Sequence, residues 1–195
     1  MSAYTVTAHI TTPVIEAERH PIMIDSIMAY ARSLDGDMPP LTQIEAPDIP
    51  LPLNKWETDS DWGWKASKAE FEIEKDTTVN IYRKPAIDAM ARYGNFKKHH
   101  IGLGPHKARA ITLEASIIHT MTWEIDSDAP EKVMELLERV KGIGRGVNTG
   151  YGQVAKWDIQ PSHQDNGWRN RPFDQHRNRP PYWHPQPTRK ENTLC

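Results

Sequence analysis

Lys141-Gly-Ile-Gly-Arg-Gly-Val-Asn-Thr-Gly-Tyr-Gly-Gln-Val154 holds five glycines within eleven residues, Gly142, Gly144, Gly146, Gly150 and Gly152, with one arginine among them. Glycine at this density allows positive φ and lets backbone N–H groups approach a ligand oxygen, which suits phosphate. Position decides what kind of phosphate. In a dinucleotide-binding unit such a loop follows a strand and opens a helix, whose N-terminus meets the pyrophosphate. Here the order is reversed. Before the loop, Asp126 to Lys141 reads as a helix: Ser127 or Asp128 can cap it, Pro130 and Glu131 suit its first turn, and Val133, Leu136, Leu137 and Val140 form an apolar stripe. After it, Gly152 to Gln160 reads as a strand. The helix turns its negative end toward the loop, which disfavours a pyrophosphate, and the absence of Gly-Lys-Ser/Thr excludes a P-loop.

Working back from the loop, Ala110 to Ile125 alternates like a strand, with a change of phase at Ile117-Ile118 that suggests a bulge. Pro85 to Tyr93 can form a short helix. Two further strands fit Ala69 to Glu74 and Val79 to Arg83, joined by a polar turn at Lys75-Asp-Thr-Thr78. Five prolines between Met38 and Leu53 call for an extended loop. Pro21 to Leu34 has Ile24, Ile27, Met28 and Ala31 at helical spacing, and Tyr4 to Ile15 is a Thr/Val/Ile-rich strand ending near Pro13. The expected class is α+β, a ferredoxin-like (RRM-like) βαββαβ domain over residues 1–161, with insertions at 36–67 and 92–109 and an extended tail at 162–195.

With 195 residues, one domain is the default. No run approaches the roughly 18 apolar residues of a spanning helix, and Met1 to Val14 lacks a basic segment followed by an apolar one, so the expectation is a cytoplasmic protein. A lone cysteine, Cys195, excludes an internal disulfide or a cysteine-based zinc site. Neither metal nor cofactor is expected.

The net charge of -2 argues at first against nucleic acid, but its distribution reverses that. Residues 92–109 carry five cations, three histidines and no acid, and residues 141–156 three cations and no acid. The tail has six cations against three acids, which leaves residues 1–161 with 18 against 23, a net of -5. Cations collect in the insertion, the glycine loop and the tail.

The opening, Ile10-Thr-Thr-Pro-Val-Ile15 followed by Pro21-Ile-Met-Ile-Asp-Ser-Ile-Met-Ala-Tyr-Ala-Arg32, together with the Gly-Tyr-Gly exit of the loop, resembles the RAMP superfamily of CRISPR-associated RNA-binding proteins. Within it, the match is to the type IV subunit that caps the 5′ end of the guide RNA. There a strand ending in Thr-Pro-Val leads to a helix bearing Leu-Asp; Ile24-Asp25 stands here instead. The Trp62 to Phe71 segment also fits, and the resemblance spans residues 4–160. It implies a non-catalytic subunit of a type IV effector ribonucleoprotein. Its partners would be the 5′ handle of the guide RNA, the backbone and large subunits, and target DNA near the protospacer-adjacent motif. Guide pairing would read most of the target.

The residues suit an RNA grip, in which cations meet phosphates and planar groups stack on bases. One surface is Lys141, Gly142, Gly144, Arg145, Gly146, Asn148 and Tyr151, though a tyrosine opening a strand is as often core. A second is Lys97, Lys98, His99, His100, His106, Lys107 and Arg109, in the insertion that relatives project as a thumb. In the tail, Trp168, Arg169, Arg171, Arg177, Arg179 and Trp183 suit contact with RNA or a partner. An alternative is a metal-independent endoribonuclease that processes repeat RNA, with His99, His100, His106 and Lys97 as base, acid and phosphorane stabiliser. His9, His20 and His119 sit in or beside expected structure, where satisfied structural histidines are usual.

Overall fold

The computed structural model describes residues 2–34, 36, 48–58, 62–83, 92, 102, 107–172, 180 and 182. Their architecture is α+β with antiparallel sheets and two α-helices. A four-stranded sheet carries the core. Its strands are β1 (Ala3–Ile10), β5 (Glu70–Phe71), β8 (Thr120–Asp126) and β9 (Val154–Pro161), in the order β5-β8-β1-β9. A second sheet has the order β2-β7-β6, from β2 (Val14–Ile15), β6 (Lys75–Arg83) and β7 (Arg109–Ile117). A small hairpin pairs β3 (Lys55–Glu57) with β4 (Trp62–Trp64).

The alternation in β1 has a direct cause. Val6, Ala8 and Ile10 are buried on one face with Met121, Trp123 and Ile125 of β8, while Thr5 and His9 turn to the other face and bond Glu124 and Asp158. Two helices share that apolar core: α1 (Ile24–Ser33) through Ile24, Met28 and Ala31, and α2 (Pro130–Leu137) through Val133, Leu136 and Leu137. Both indoles at its centre are satisfied, Trp123 Nε1 donating to Ile22 O at 2.9 Å and Trp157 Nε1 to Val140 O at 3.0 Å.

α1 runs as its periodicity requires and stops before Gly36, whose φ of +77° ends helical geometry. α2 keeps its expected stripe but is shorter than Asp126–Lys141. Asp126 still belongs to β8, and Ser127 Oγ accepts from Ala129 N–H at 3.0 Å while donating to Pro52 O at 2.6 Å. After Leu137 the chain tightens, with Val140 N–H donating back to Leu137 O.

Three strand expectations change. Tyr4–Ile15 is two strands in different sheets, broken at Thr11-Thr-Pro13. Lys75-Asp-Thr-Thr78 is no turn but the start of β6, because β-branched Thr77 and Thr78 pair with Ala115 and Glu114 in a ladder running from Lys75↔Ile117 to Arg83↔Arg109. The phase change at Ile117-Ile118 marks more than a bulge. The chain leaves the second sheet there, buries Ile118, and enters the first sheet at Thr120. The expected helix at Pro85–Tyr93 lies, apart from Arg92, outside the described residues.

The Pro-rich segment expected as an extended insertion supplies core at its described end, where Ile49, Leu51 and Leu53 are buried. The tail expected to be flexible or extended is likewise anchored through its described residues. Arg171 is 9% exposed and Pro180 is fully buried. No helix among the described residues is long and apolar enough to cross a membrane.

Candidate nucleic-acid interface

The glycine loop is folded back on the sheet junction. Gly152 N–H donates to Pro13 O at 2.9 Å, Ile143 N–H donates to Gly152 O at 2.8 Å, and Arg145 bridges to Ile15. A 3-10 turn, Val147–Thr149, sits at its tip between Gly146 and Gly150, both left-handed. Gly152 is the most constrained position. Its φ is +61°, and a Cβ there would lie 2.0 Å from Ile143 O. The loop's conformation thus demands glycine for its own backbone and holds Arg145 and Asn148 at the surface.

Arg145 is engaged. Its Nη1 donates to Glu16 Oε2 at 2.8 Å, and Arg19 Nη1 donates to the other carboxylate oxygen at 2.6 Å. The Arg145 bond, more than any other influence, holds the Glu16 carboxyl below its ordinary pKa. Glu16 itself has a φ of +52°, unusual for a non-glycine residue. Lys141 donates to Glu138 O at the end of α2, and Asn148 is exposed. Tyr151 is half-buried against the small Ile15, Val79 and Ala115 cluster of the second sheet, which favours its core role.

The β6–β7 hairpin offers a second cationic feature that sequence reasoning only partly found. Arg83 and Arg109 stand directly opposite each other in the ladder, and both are exposed. Like charges so placed repel. Among the described residues no carboxylate pairs with either. Tyr82, next to Arg83, is 70% exposed. Lys107 is exposed beside this end of the hairpin. Lys97, Lys98, His99, His100 and His106 lie outside the described residues. Arg109 was expected; Arg83 and Tyr82 were not, because the cross-strand register that pairs them cannot be read from a single strand.

In the tail, Trp168 is half-buried, with Lys65 Nζ 5.8 Å and the Arg169 guanidinium 5.3 Å from its ring centroid, and Arg169 is exposed. Arg171 requires a correction. Expected at an RNA or partner surface, it is buried, with Nη1 donating to Trp64 O at 2.6 Å and to Ala66 O at 3.1 Å. Arg177, Arg179 and Trp183 lie outside the described residues. Among the structural histidines, His9 sits 2.8 Å from Asp158 and His119 2.7 Å from Glu74.

A family model for the CRISPR type IV associated protein Csf3 matches residues 2–122, more than half of the chain. The chain belongs to the Csf3 family. The match covers β1 through the start of β8 and includes α1 and the β6–β7 hairpin; the glycine loop and the tail lie beyond it. No curated protein matches the chain. Membership in the Csf3 family makes this a type IV CRISPR-associated protein, which agrees with the resemblance carried by the N-terminal strand and helix.

Proposed function

We propose that this Csf3-family chain is a non-catalytic, cytoplasmic RNA-binding subunit of a type IV effector ribonucleoprotein. It caps the 5′ handle of the guide RNA and bridges the backbone and large subunits, near the protospacer-adjacent motif of target DNA. The observation that carries this reading is the exposed Arg83–Arg109 pair at the end of the β6–β7 ladder. Two unneutralised guanidiniums held opposite each other cost stability in the free protein, and a phosphate between them removes that cost. Tyr82, exposed on the opposite face of the same strand end, suits an unstacked base there. Arg145 and Asn148 on the glycine loop supply a second contact, and the basic insertion between β6 and β7 fits the thumb of the RAMP superfamily.

The fold reading supports the same assignment. We read β1, α1, β5, β8, α2 and β9 as a ferredoxin-like βαββαβ core with the other strands inserted between them, a reading supported by the sheet order β5-β8-β1-β9. The second sheet and the Trp-bearing β3–β4 hairpin are then additions to that core. A cleft lined by Glu18, Asp76 and Glu114, beside a Glu16 already paired with Arg19 and Arg145, suits cationic side chains of a neighbouring protein subunit.

The test is binding of a repeat-derived RNA oligonucleotide to the purified chain across a salt series, with the same RNA afterwards run on a denaturing gel without metal. Salt-dependent binding that weakens in Arg83→Ala and Arg109→Ala, with the RNA intact, is the expected result. A defined cleavage product lost on substitution of His99, His100 or His106 would replace this reading with the endoribonuclease.

A further inference from the structure

The four-stranded sheet has a polar face opposite its apolar core. Thr5 and Thr7 of β1, Thr122 and Glu124 of β8, and Glu70 of β5 share it, as the pairings Thr5↔Glu124, Thr7↔Thr122 and Glu70↔Thr122 require. Glu70 is exposed and the others are half-buried. A 3-10 turn, Gly167–Arg169, lies against β8 on this side, and a Cβ at Gly167 would stand 2.7 Å from Glu124 Cγ. Between the turn and the sheet is a pocket of about 200 Å³, with Glu70, Thr122, Glu124, Gln164 and Asn166 in its lining.

The two oxygens of the Glu124 carboxylate differ. Oε1 accepts from Thr5 Oγ1 at 2.6 Å, while Oε2 is buried and has no donor among the described residues. A carboxylate oxygen withdrawn from water without a donor costs free energy, so the pocket favours a ligand that brings one. Glu70, diagonal to Glu124 across the β5–β8 pairing, adds a second carboxylate, to which Asn170 Nδ2 donates. Diagonal neighbours in a sheet lie roughly 7–8 Å apart, within reach of one group placed between them. Among the described residues no Lys, Arg or His pairs with either acid.

The volume exceeds what one water needs, about 30 Å³ of liquid, and admits a side-chain head group. Two carboxylates repel RNA phosphates, and the described strand residues of this face include no Phe, Tyr or Trp on which a base could stack. No third Asp, Glu, His or Cys among the described residues joins the pair to hold a metal ion. A guanidinium suits the site on each count. It is positive, carries five N–H donors and no acceptor, serves acceptors in different directions through its planar fork, and is more weakly hydrated than an ammonium.

We propose that this pocket receives an arginine side chain of a partner protein, whose guanidinium gives Glu124 Oε2 its missing donor and reaches Glu70. The site belongs to the first sheet, whereas Arg83 and Arg109 belong to the second, so it stands whether or not the chain binds RNA.

Amide NMR spectra of the isotope-labelled full chain, titrated with a capped Gly-Arg-Gly tripeptide, test this. The expected result is a saturable shift of the Thr122, Glu124 and Gly167 amides at millimolar peptide, at least about fivefold weaker with capped Gly-Lys-Gly. Glu124→Gln, which keeps the side chain's shape and removes its charge, should weaken the arginine peptide about tenfold or more. Glu70→Gln, at an exposed position that keeps the test valid should Glu124→Gln fail to fold, should weaken it up to about fivefold. Absence of these shifts, an equal response to both peptides, or the same shifts produced instead by guanosine monophosphate or calcium chloride would overturn the arginine site.

Discussion

Arg145 Nη1 stands 2.8 Å from Glu16 Oε2, so the one arginine of the glycine loop is held by an acid 129 positions earlier in the chain. The pair orients the guanidinium at the loop surface and partly neutralises it. An RNA phosphate arriving there competes with Glu16. Arg145→Ala should therefore weaken RNA binding and reduce the slope of log affinity against log salt by about 0.7. Glu16→Gln should act oppositely, tightening binding up to about fivefold at low salt. A fluorescence-anisotropy salt series on both variants checks the two signs together.

Glycine is required unequally along the loop. At Gly152 an added Cβ would lie 2.0 Å from Ile143 O, on backbone that cannot swing aside. Gly150 also has a positive φ, +94°, but open space around it. Gly150→Ala should cost about 1–2 kcal/mol from backbone strain alone. Gly152→Ala should cost more, on the order of 3 kcal/mol or above, because strain and overlap act at once. Urea midpoints of the two variants give the comparison.

Much of this was legible in the sequence, for reasons that particular residues make clear. The stripe Val133, Leu136, Leu137, Val140 and the alternation Val6, Ala8, Ile10 each occupy one face of a single element, so periodicity exposes them. The split of Ala110–Ile125 between two sheets was not visible, since the phase change at Ile117-Ile118 is the same for a bulge and for a change of sheet. Asp25 carries a signal of its own: a carboxylate on the apolar face of α1 calls for a buried cationic partner. That the partner is Arg171, 146 residues on and 3.5 Å from the carboxylate, depends on the path of the tail. Composition alone groups Arg171 with the other cations of the tail, because it carries no information on burial.

Function and stability should oppose each other at the β6–β7 hairpin. Arg83→Glu replaces a repelling cross-strand pair with an attracting one, and should raise the stability of the free protein by about 0.2–1 kcal/mol. The same change should weaken RNA binding. Thermal unfolding without RNA, paired with binding at fixed salt, measures both; a destabilised Arg83→Glu would contradict the repulsion argument.

Acid should weaken the fold through two lowered carboxyls. Glu16 is lowered chiefly by Arg145, and Asp158 chiefly by Lys156 with His9 adding to it. A carboxyl depressed in the native state stabilises above its unfolded pKa, about 4 for these groups, and loses that contribution as pH falls through the native value. Stability should therefore be level from pH 7 to about 5 and decline below about 4. Asp158→Asn, compared by urea unfolding at neutral pH and near pH 3, should show a smaller decline than the parent chain.

The most direct measurement is the salt dependence of repeat-derived RNA binding by the parent chain and by a variant lacking Arg83, Arg109 and Arg145. Single-stranded contacts contribute about 0.7 to the slope for each phosphate neutralised. The account predicts a clear negative slope for the parent, shallower by about 2 in the triple variant. Binding that is insensitive to salt, or a triple variant with the parent's slope and affinity, would contradict it.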